Sequence, residues 1–586
     1  MIKLSDYVFK FIAAQGVKHV FMLPGGGCIH LCNSLGHNKD IEYIPMLHEQ
    51  AVSIAAEAYG QHTNRPGVCL VTSGPGATNA ITGVTAGWID STPMLIISGQ
   101  AKSEDLVGDK GVRQIGCQEA QIIPMAQHIT KYAVSVLEPS EIKYHLEKAF
   151  YLAEHGRKGP VWIEIPLDIQ GAMIDESKQE GFTSPEETRA DISKEVSEIV
   201  CMLKDSKQPL ILVGNGVKLS GSEDKFLGIA KALHIPALTT WKIMDIFDHG
   251  DELFFGSPGL LAQRYANFIL QSADLLLVLG SRLDYSLTAY NNGNFAKNAK
   301  KILVDIDANE INKLEDMDIS LKVVTDMSVF FDEFGKRLTE ISEIKSMDRA
   351  KWFAYCNEMK NKYPVVTTEH HADTGFVNTY AFINKLSDAL RDDDIIVPES
   401  SGNAGEVTYQ ALRIKRGQKM KNAAGLGSMG FGLPYAIGAC LASGGRRTIL
   451  INGDGAFQLN IQELATLVRL SLPVKIFIWD NDCYATIMAT QRNLFDGSYV
   501  GSERHSGLAL PDVLKVAAVY GLKTFEMNTN DEIPDIIQEV LNSDGPALCR
   551  VRVSPLQTVA PKVQSKRLPD GKMTSNALED MWPYLE

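Results

Sequence analysis

The sequence contains no apolar run that approaches the roughly 20 consecutive residues needed to span a membrane. It shows no apolar signal core either: the amphipathic pattern at the start stops at Gly16, and Ser5-Asp6 is placed to cap a helix. Positive charge is in deficit, with 57 Lys and Arg against 71 Asp and Glu and a net charge of -14, which argues against nucleic acid or anionic membrane as the main partner. The 9 cysteines are scattered and odd in number, and Cys28 with Cys32 lacks the second pair that a zinc site requires. They read as reduced, mostly buried thiols. Short internal repeats and low-complexity tracts are missing as well. What is present is an ordinary globular composition, 45% hydrophobic and 22% charged, spread over 586 residues. That length exceeds one core and suggests about three domains. A cytoplasmic protein acting on small molecules is the expectation.

Helix and strand patterns alternate along the chain. Strand candidates fall at residues 17–23, 68–72, 94–98 and 161–165, followed by a polar stretch at 175–187 that reads as a linker. A second block opens near Asp191, with strands at 210–213, 275–279 and 302–306, and a polar helical segment at 340–362 leads through Tyr363-Pro364 to a third. The predicted domains are 1–180, 190–345 and 363–555, with a tail at 556–586 that ends in Met581-Trp582-Pro583-Tyr584-Leu585. Such a tail must dock or stay loose, and docking over a site or plain packing on the surface are both open.

The third block carries the most informative stretch, residues 447–487. An apolar run at 448–451 stops at Gly453-Asp454-Gly455; a helix follows with Ile461, Leu464, Ala465 and Val468 on one face; Leu472-Pro473 breaks it before a second run at 474–479 that ends at Asp480-Asn481. Two parallel strands joined by one crossover helix bring their C-terminal ends to one edge of the sheet, so Asp454 and Asn481 should meet there. Their oxygens, with a carbonyl near Cys483, suit Mg2+ shared with a phosphate. The amides of Gly455 and Ala456, at the helix start, can bind the phosphate itself. Taken alone, Gly-Asp-Gly is usually no more than a strand-end turn.

With Glu463-Leu464-Ala465-Thr466 and Leu472-Pro473-Val474 included, the stretch resembles the thiamin diphosphate motif. The resemblance implies that Asp454, Asn481 and the backbone carbonyl of Cys483 hold Mg2+, and it assigns Ile487 to the cofactor; Asp480 departs from the Asn of many members. His48-Glu49-Gln50, between a strand-like run at 41–47 and a helix at 51–59, resembles the His-Glu-Gln of acetolactate synthases. There the Glu hydrogen-bonds N1′ of the cofactor's aminopyrimidine, which makes Glu49 the residue that starts catalysis. From position alone, Glu49 would be only a first-turn carboxylate complementing the helix dipole.

Further segments extend the resemblance over almost the whole chain. Leu23-Pro24-Gly25-Gly26-Gly27 and Thr72-Ser73-Gly74-Pro75-Gly76-Ala77-Thr78-Asn79 resemble pyrimidine-side loops, which implicates Gly26, Pro75 and Asn79. Gly425-Leu426-Gly427-Ser428-Met429 resembles the loop whose Met wedges the cofactor into a bent shape, and Gly427 belongs with it. Gly402-Asn403 lies where diphosphate contacts are expected, without the family's Gln-His. Gln118-Glu119 and Lys131 resemble a Gln-Glu pair and a Lys at the substrate entrance, but Cys117 replaces a Phe and Thr490 an acceptor-pocket Trp. In the middle block, Val213-Gly214-Asn215-Gly216, Gly280-Ser281-Arg282-Leu283-Asp284 and Val304-Asp305-Ile306-Asp307 resemble FAD-binding segments, implicating Gly216, Arg282, Asp305 and Asp307; Gln127 and Leu261-Ala262 depart from that pattern.

The implied protein has three doubly wound α/β parallel-sheet domains in the order pyrimidine-binding, central, diphosphate-binding. It would be a homodimer or homotetramer in which Glu49 of one chain serves the cofactor held by Asp454 of another, and a small regulatory subunit is left open. The implied reaction decarboxylates pyruvate and transfers the two-carbon unit to a second carbonyl, giving 2-acetolactate, a branched-chain amino acid precursor, when the acceptor is pyruvate. Three alternatives stand beside it: a carboligase acting on a keto sugar, a pyruvate oxidase that needs a reducible flavin, and a non-catalytic partner subunit. Intact Glu49, Asp454 and Asn481 speak against the last.

Overall fold

The computed structural model describes residues 1–186, 189–372, 375–567, 571 and 573–585; the end of the expected linker, Glu187, lies outside them. Among the described residues the architecture is built on three parallel sheets flanked by helices. The first has strands β1 (His19–Met22), β2 (Glu42–Pro45), β3 (Gly67–Val71), β4 (Met94–Gln100), β5 (Tyr132–Ser135) and β6 (Pro160–Pro166), in spatial order β2-β1-β3-β4-β6-β5. The second has β7 (Pro209–Val213), β8 (Ala237–Thr239), β9 (Leu275–Leu279), β10 (Lys300–Asp305) and β11 (Leu321–Val324), ordered β8-β7-β9-β10-β11. The third has β12 (Ile395–Pro398), β13 (Lys419–Met420), β14 (Thr448–Gly453), β15 (Val474–Asp480), β16 (Lys523–Met527) and β17 (Ala547–Arg552), ordered β13-β12-β14-β15-β17-β16. Central strands such as β4, β6 and β9 are buried at every residue, the reason they read as continuous apolar runs rather than alternating ones.

Counted from its own first strand, the first sheet and the third share one order: second, first, third, fourth, sixth, fifth. The fold therefore repeats where the sequence does not, because strand pairing is made by backbone groups that any residue carries. In all three sheets the first strand lies between the second and the third, so the connections leave in opposite directions from the gap between first and third. Open α/β sheets bind ligands in that crevice, at the carboxyl ends of the strands.

The first and third domains share a core. The helix Glu49–Thr63 is buried at Glu49 and from Ala51 through Gly60, and the helix Gly432–Ala442 is buried from Gly432 through Cys440. Their residues join one apolar cluster, in which Val52, Ala55 and Ala56 meet Leu433, Ala436 and Ile437. A Lys from the middle domain locks the arrangement: Lys242 Nζ donates to Asp90 Oδ2 at 2.7 Å and to the Asn422 carbonyl at 2.5 Å, touching both outer domains at once.

The structure revises some expectations and decides others that were open. The first helix, Leu4–Ala14, takes Ser5 and Asp6 into its first turn instead of being capped by them, and Ser5 is fully buried with its hydroxyl accepting from Ser34. The segment after Gly453 is not one helix but Asp454–Phe457, a 3-10 turn at Gln458–Asn460 and Glu463–Arg469; Leu464 and Leu467 are its most buried apolar residues, and Ile461 and Val468 are only partly buried. The polar segment at 340–362 divides into Leu338–Ser346 and Ala350–Lys362. All nine cysteines are free, with Cys117 and Cys201 exposed. The tail docks: Val563, Leu578 and Met581 enter the core of the middle domain, and Lys562–Val563 pairs with Met581–Trp582. Asn267 and Arg264 secure it by donating to the carbonyls of Leu578 (2.8 Å) and Met581 (3.1 Å). Among the described residues no helix is long and apolar enough to cross a membrane.

A Cβ on Gly438 would fall 2.2 Å from the Ala55 carbonyl oxygen, so the two helices of the shared core must separate to accept it. Gly438→Ala is therefore expected to destabilise the protein by about 1–3 kcal/mol, the usual cost of overpacking, despite the better helix propensity of Ala. Chemical denaturation measures it; a midpoint at or above the parent's would show that the helices are not in tight contact.

Candidate active site

The crevice of the third sheet lies between the ends of β12 and β14, and it gathers the residues expected to hold a diphosphate. Asp454 follows β14 directly and is 3% exposed. Its Oδ1 accepts from the Gly455 amide (2.8 Å) and its Oδ2 from the amides of Asn481 (3.0 Å) and Asp482 (2.7 Å), which join the ends of β14 and β15. Burial, and then the neighbouring Asp480 carboxylate, raise the Asp454 carboxyl above its usual range. Arg550 lies 3.9 Å from Asp480 and partly offsets that second acid. The Asn481 side-chain oxygen accepts from the Cys483 amide at 3.2 Å, so Asp454, Asn481 and the backbone of Cys483 form one oxygen-rich corner. A buried carboxyl beside a second acid is a setting that favours a hard divalent cation, and these donors fit Mg2+. Gly455 is needed for space, since a Cβ there would lie 2.4 Å from the Tyr484 ring.

Two loops close this corner. Gly402, at φ 76°, precedes the helix Asn403–Ala411, and Thr486 donates to the Asn403 side chain at 3.3 Å, which brings the helix Ala485–Leu494 and its exposed Ile487 alongside. Opposite them runs the loop with Gly427 (φ 63°) and Met429. Met429 is only partly buried, unlike a core methionine. Glu399, 1% exposed, anchors that loop by accepting from the amides of Ser400 (3.0 Å), Phe431 (3.2 Å) and Gly432 (3.0 Å). Burial pushes its carboxyl up to about 7 even though those amides favour the charged form. Sequence reading passed over Glu399, because an acid at a strand end carries no signal of the loop it will hold.

In the first sheet the crevice lies between β1 and β3. Cβ atoms on Gly25 and Gly27 would lie 2.5 Å from Thr72 and 2.4 Å from Ser73, so glycine alone lets these two loops touch, while Gly26 faces open space. Glu49 opens its helix at 8% exposure, and its Oε2 accepts from the Asn79 amide at 3.0 Å. Pro75 begins the helix that carries Asn79, and both are exposed beside Glu49. Gln118 is exposed at φ 55°, a strained conformation for a residue with a side chain. Its partner Glu119 is structural: burial raises its carboxyl, but the amides of Val107, Ile115 and Gly116 outweigh that and hold it low, which staples the loop. Lys131 stands apart. It precedes β5, the edge strand farthest from the β2 that leads to Glu49, whereas Gln118 lies over the turn after β3, and the Lys131 ammonium donates to the His155 carbonyl at 2.6 Å. Burial lowers it to about 8.

The crevice of the middle sheet, between β7 and β9, opens into a cavity of about 360 Å3. Gly216, Arg282 and Asp305 all line it, together with Asp90 and Arg157 from the first domain and Gly425 from the third. Cβ atoms on Gly214 and Gly216 would lie 2.4 Å and 2.8 Å from the backbone of Gly280, so the two turns touch through glycine, and the Gly216 amide closes the contact by donating to the Gly280 carbonyl at 2.9 Å. Asp307 sits just beyond: burial opposes ionisation, but Arg157, 2.8 Å away, holds its carboxyl below the usual range. These residues fit a flavin dinucleotide in backbone cradle and strand-end acid. Arg157, Asp90 and Lys242 were invisible to sequence reading because they reach this cavity from other domains or bind between them.

Glycine-lined crevices at three equivalent switch points, one with a buried oxygen corner and one with a buried Glu, define a cofactor-dependent α/β enzyme that grips a diphosphate at one end and a ring at the other. Comparison with known proteins gives this class its name. Family models match as thiamine pyrophosphate enzyme N-terminal TPP binding domain at residues 2–122, central domain at 196–334 and C-terminal TPP binding domain at 400–551. The acetolactate synthase isozyme 1 large subunit of Escherichia coli (strain K12) is 30% identical over 559 residues, 95% of each chain. Isozyme 2 of that organism is 30% identical over 580 residues, 98% of this chain and 99% of its own. The acetolactate synthase large subunit of Lactococcus lactis subsp. lactis (strain IL1403) is 29% identical over 564 residues, 95% of this chain and 94% of its own. The chain belongs to the acetolactate synthase large-subunit family of thiamine pyrophosphate enzymes.

If Asp454 holds the cation against the diphosphate, thiamin diphosphate with Mg2+ should raise the melting temperature of the parent, because a ligand that binds only the native state stabilises it. Asp454→Ala should lose that increment entirely. An undiminished increment in the variant would remove Asp454 from the site.

Proposed function

We propose that the protein is a carboligase that decarboxylates pyruvate and transfers the two-carbon acetyl unit to a second carbonyl compound, making 2-acetolactate when that compound is pyruvate. The observation that carries this reading is the pairing of a buried Asp454–Asn481 corner with a buried Glu49 bonded to Asn79. Asp454, Asn481 and the Cys483 carbonyl would hold Mg2+; Gly402, Asn403, Gly455 and Ala456 would hold the diphosphate. Gly26, Pro75 and Asn79 would line the aminopyrimidine, with Gly427, Met429 and Ile487 beneath and beside the cofactor. When bound, thiamin diphosphate supplies the electron sink for loss of CO2. Glu49 holds and returns a proton at N1′ of the aminopyrimidine, and the Met429 loop keeps water out.

The protein acts as a homodimer or larger homo-oligomer in this reading. Beside Glu49, Leu47 and Gln50 bond to Glu463 and Asn460 of the same chain (3.0 and 3.3 Å), and no hydrogen bond among the described residues links Glu49 to the Asp454 corner. Leu459, Ile487, Leu494, Phe495 and Val500 are exposed around that corner, an apolar face suited to a second copy. The relatives it resembles are large subunits, and a smaller partner chain is compatible with that. FAD in the middle cavity completes the cofactor set. A second acceptor class, a keto sugar, is favoured by one observation: Thr490 and Cys117 are both small and exposed, and the Thr490 hydroxyl turns back onto the Thr486 carbonyl at 3.0 Å, which leaves room beside the site.

Incubation of purified protein with pyruvate, thiamin diphosphate and Mg2+, followed by product identification, tests the reading. 2-Acetolactate supports it, and acetate formed only with an external electron acceptor overturns it. Glu49→Gln should fold and bind cofactor, yet slow hydrogen exchange at C2 of the bound thiazolium by about 10²- to 10⁴-fold, with pyruvate turnover falling in step. Exchange at the parent rate would reduce Glu49 to a helix-terminus carboxylate.

Lys131 gives a pH test. A lysine lowered to about 8 is charged below that pH and loses its charge as pH rises through it. Because its ammonium is bonded to the His155 carbonyl away from the Glu49 crevice, that loss of charge should leave the KM for pyruvate flat through pH 8, and Lys131→Ala should keep the parent's KM. A KM that climbs above pH 8 in the parent and stays flat in Lys131→Arg would return Lys131 to the entrance.

A further inference from the structure

The glycine loop of the first crevice runs into two thiols that the proposed chemistry does not use. Cys28 closes the turn Gly26–Cys28, and Cys32 lies one helical turn on, in the helix Ile29–His37. Their sulfurs are in contact at 3.4 Å, and no other two cysteine sulfurs among the described residues share a hydrogen bond. Cys28 is fully buried, whereas Cys32 is partly exposed. Its hydrogen bond with Cys28 holds the Cys32 thiol below its usual range, although burial opposes this. The same bond, and then burial, push the Cys28 thiol up. A lowered, reachable thiol beside a protonated one is the arrangement in which a first sulfur reacts and a second resolves it. A structural metal would need further ligands, and among the described residues no group of three His, Cys, Asp or Glu is placed to hold one.

Chemistry at Cys28 reaches the glycine loop because that loop has no slack. The Gly27 amide donates to Thr72 Oγ1 at 3.1 Å, and the Gly27 carbonyl accepts from Gln170 Nε2 at 2.7 Å. A Cβ on Gly99 would fall 2.0 Å from that same carbonyl oxygen. Cys28 Sγ also lies 3.4 Å from the Gly25 carbonyl, a contact that a disulfide, having no thiol proton, cannot keep as a hydrogen bond. A disulfide needs its Cα atoms about 4.4–6.8 Å apart, and four residues along a helix span about 6 Å. Cys28 caps its helix at φ -123° and ψ 22° and does not lie inside it, so its side chain is not bound to the helical direction. From 3.4 Å the sulfurs must close by about 1.3 Å to bond, and that movement draws on the backbone next to Gly27.

We propose that Cys28 and Cys32 are a dithiol that hydrogen peroxide converts to a disulfide, and that the disulfide weakens the first crevice's hold on its ligand. Cys32, as thiolate, attacks one oxygen of the peroxide; the O–O bond breaks, Cys32 becomes a sulfenic acid and hydroxide leaves. The Cys28 sulfur then attacks the Cys32 sulfur. The S–S bond forms as the S–O bond breaks, and the Cys28 proton leaves with the hydroxyl as water. Both thiols are oxidised, and the peroxide is reduced to water. Oxidation of the pair stands apart from the proposed function; its effect on thiamin diphosphate rests on that reading of the crevice.

Peroxide treatment of the purified full-length chain, followed by alkylation and tryptic digestion, tests the pair. Cleavage after Lys18 and Lys39 releases residues 19–39, which hold Cys28 and Cys32 and no other cysteine. That peptide should lose two hydrogens and resist alkylation until a reductant is added. In Cys28→Ser, dimedone should trap a sulfenic acid at Cys32; in Cys32→Ser, Cys28 should stay unmodified. The oxidised parent should bind thiamin diphosphate with Mg2+ roughly 5- to 150-fold more weakly than the reduced parent, the usual range of coupling between two sites, and reduction should restore binding. Cys32→Ser should bind like the reduced parent before and after peroxide. A 19–39 peptide alkylated at both cysteines, at a peroxide dose that oxidises the exposed Cys117 and Cys201, overturns the proposal, as does a disulfide that joins two chains through Cys32. Dimedone on Cys28 in Cys32→Ser, with none on Cys32 in Cys28→Ser, overturns the order of attack. Equal affinity in the oxidised and reduced parent overturns the coupling to the crevice. A reduced parent that does not bind thiamin diphosphate ends the proposed function instead, and the peptide mass still decides the pair.

Discussion

The close packing of the helix Glu49–Thr63 against Gly432–Ala442 is the constraint on which the rest depends. Each contributes a face of small residues, so the backbones approach until a single methyl at Gly438 would strike the Ala55 carbonyl at 2.2 Å. Apolar surface buried at such an interface is large, and the fit is too tight to slide. The consequence is geometric. The first helix begins with Glu49 and the second follows directly on the Met429 loop, so one contact fixes how the first domain of the chain sits on its third.

The middle domain is tied into that frame by charge. Lys242 spans Asp90 and the Asn422 carbonyl, and Asp245 pairs with Lys218 while accepting from the Met420 amide at 3.1 Å. Buried ions of this kind add little net stability, but breaking one leaves its partner uncompensated, so they fix how the domains sit. The nucleotide cavity is a product of that docking. Its floor comes from glycine turns of the middle sheet, and its walls include Arg157 from one neighbour and Gly425 from the other. Gly425 packs so closely that a Cβ there would lie 2.1 Å from Asp90, which joins the cavity wall to the start of the Met429 loop.

Catalytic geometry here rests on backbone as much as on side chains. At each crevice, close approach depends on glycine omitting the Cβ, and at the middle one the contact is closed by the Gly216 amide donating to the Gly280 carbonyl. Glu399 shows the same economy in reverse: one buried carboxylate takes three amides and thereby holds a loop that has no side-chain cap of its own.

Much of this was legible in the chain itself. Continuous apolar runs predicted β1 to β4, β6, β7, β9, β10, β14 and β15 but not β5, β8, β11 to β13, β16 or β17, and the run from Thr448 to Asp480 located the Asp454–Asn481 corner, because parallel strands joined by a crossover must end at one edge. Glu49, Asn79, Gly402 and Met429 were reachable through motif resemblance, since local sequence specifies those turns. The tertiary structure alone decided the rest. The repeated strand order of the outer domains leaves no mark on side chains, since pairing is a backbone property. Asp90, Arg157, Lys242 and Glu399 gain their importance from partners hundreds or tens of residues away, and no local pattern encodes such a distance. Lys131 illustrates the limit from the other side: its motif placed it at a substrate entrance, yet its strand begins at the edge of the sheet away from Glu49, a position fixed by topology and not by the residues that flank it.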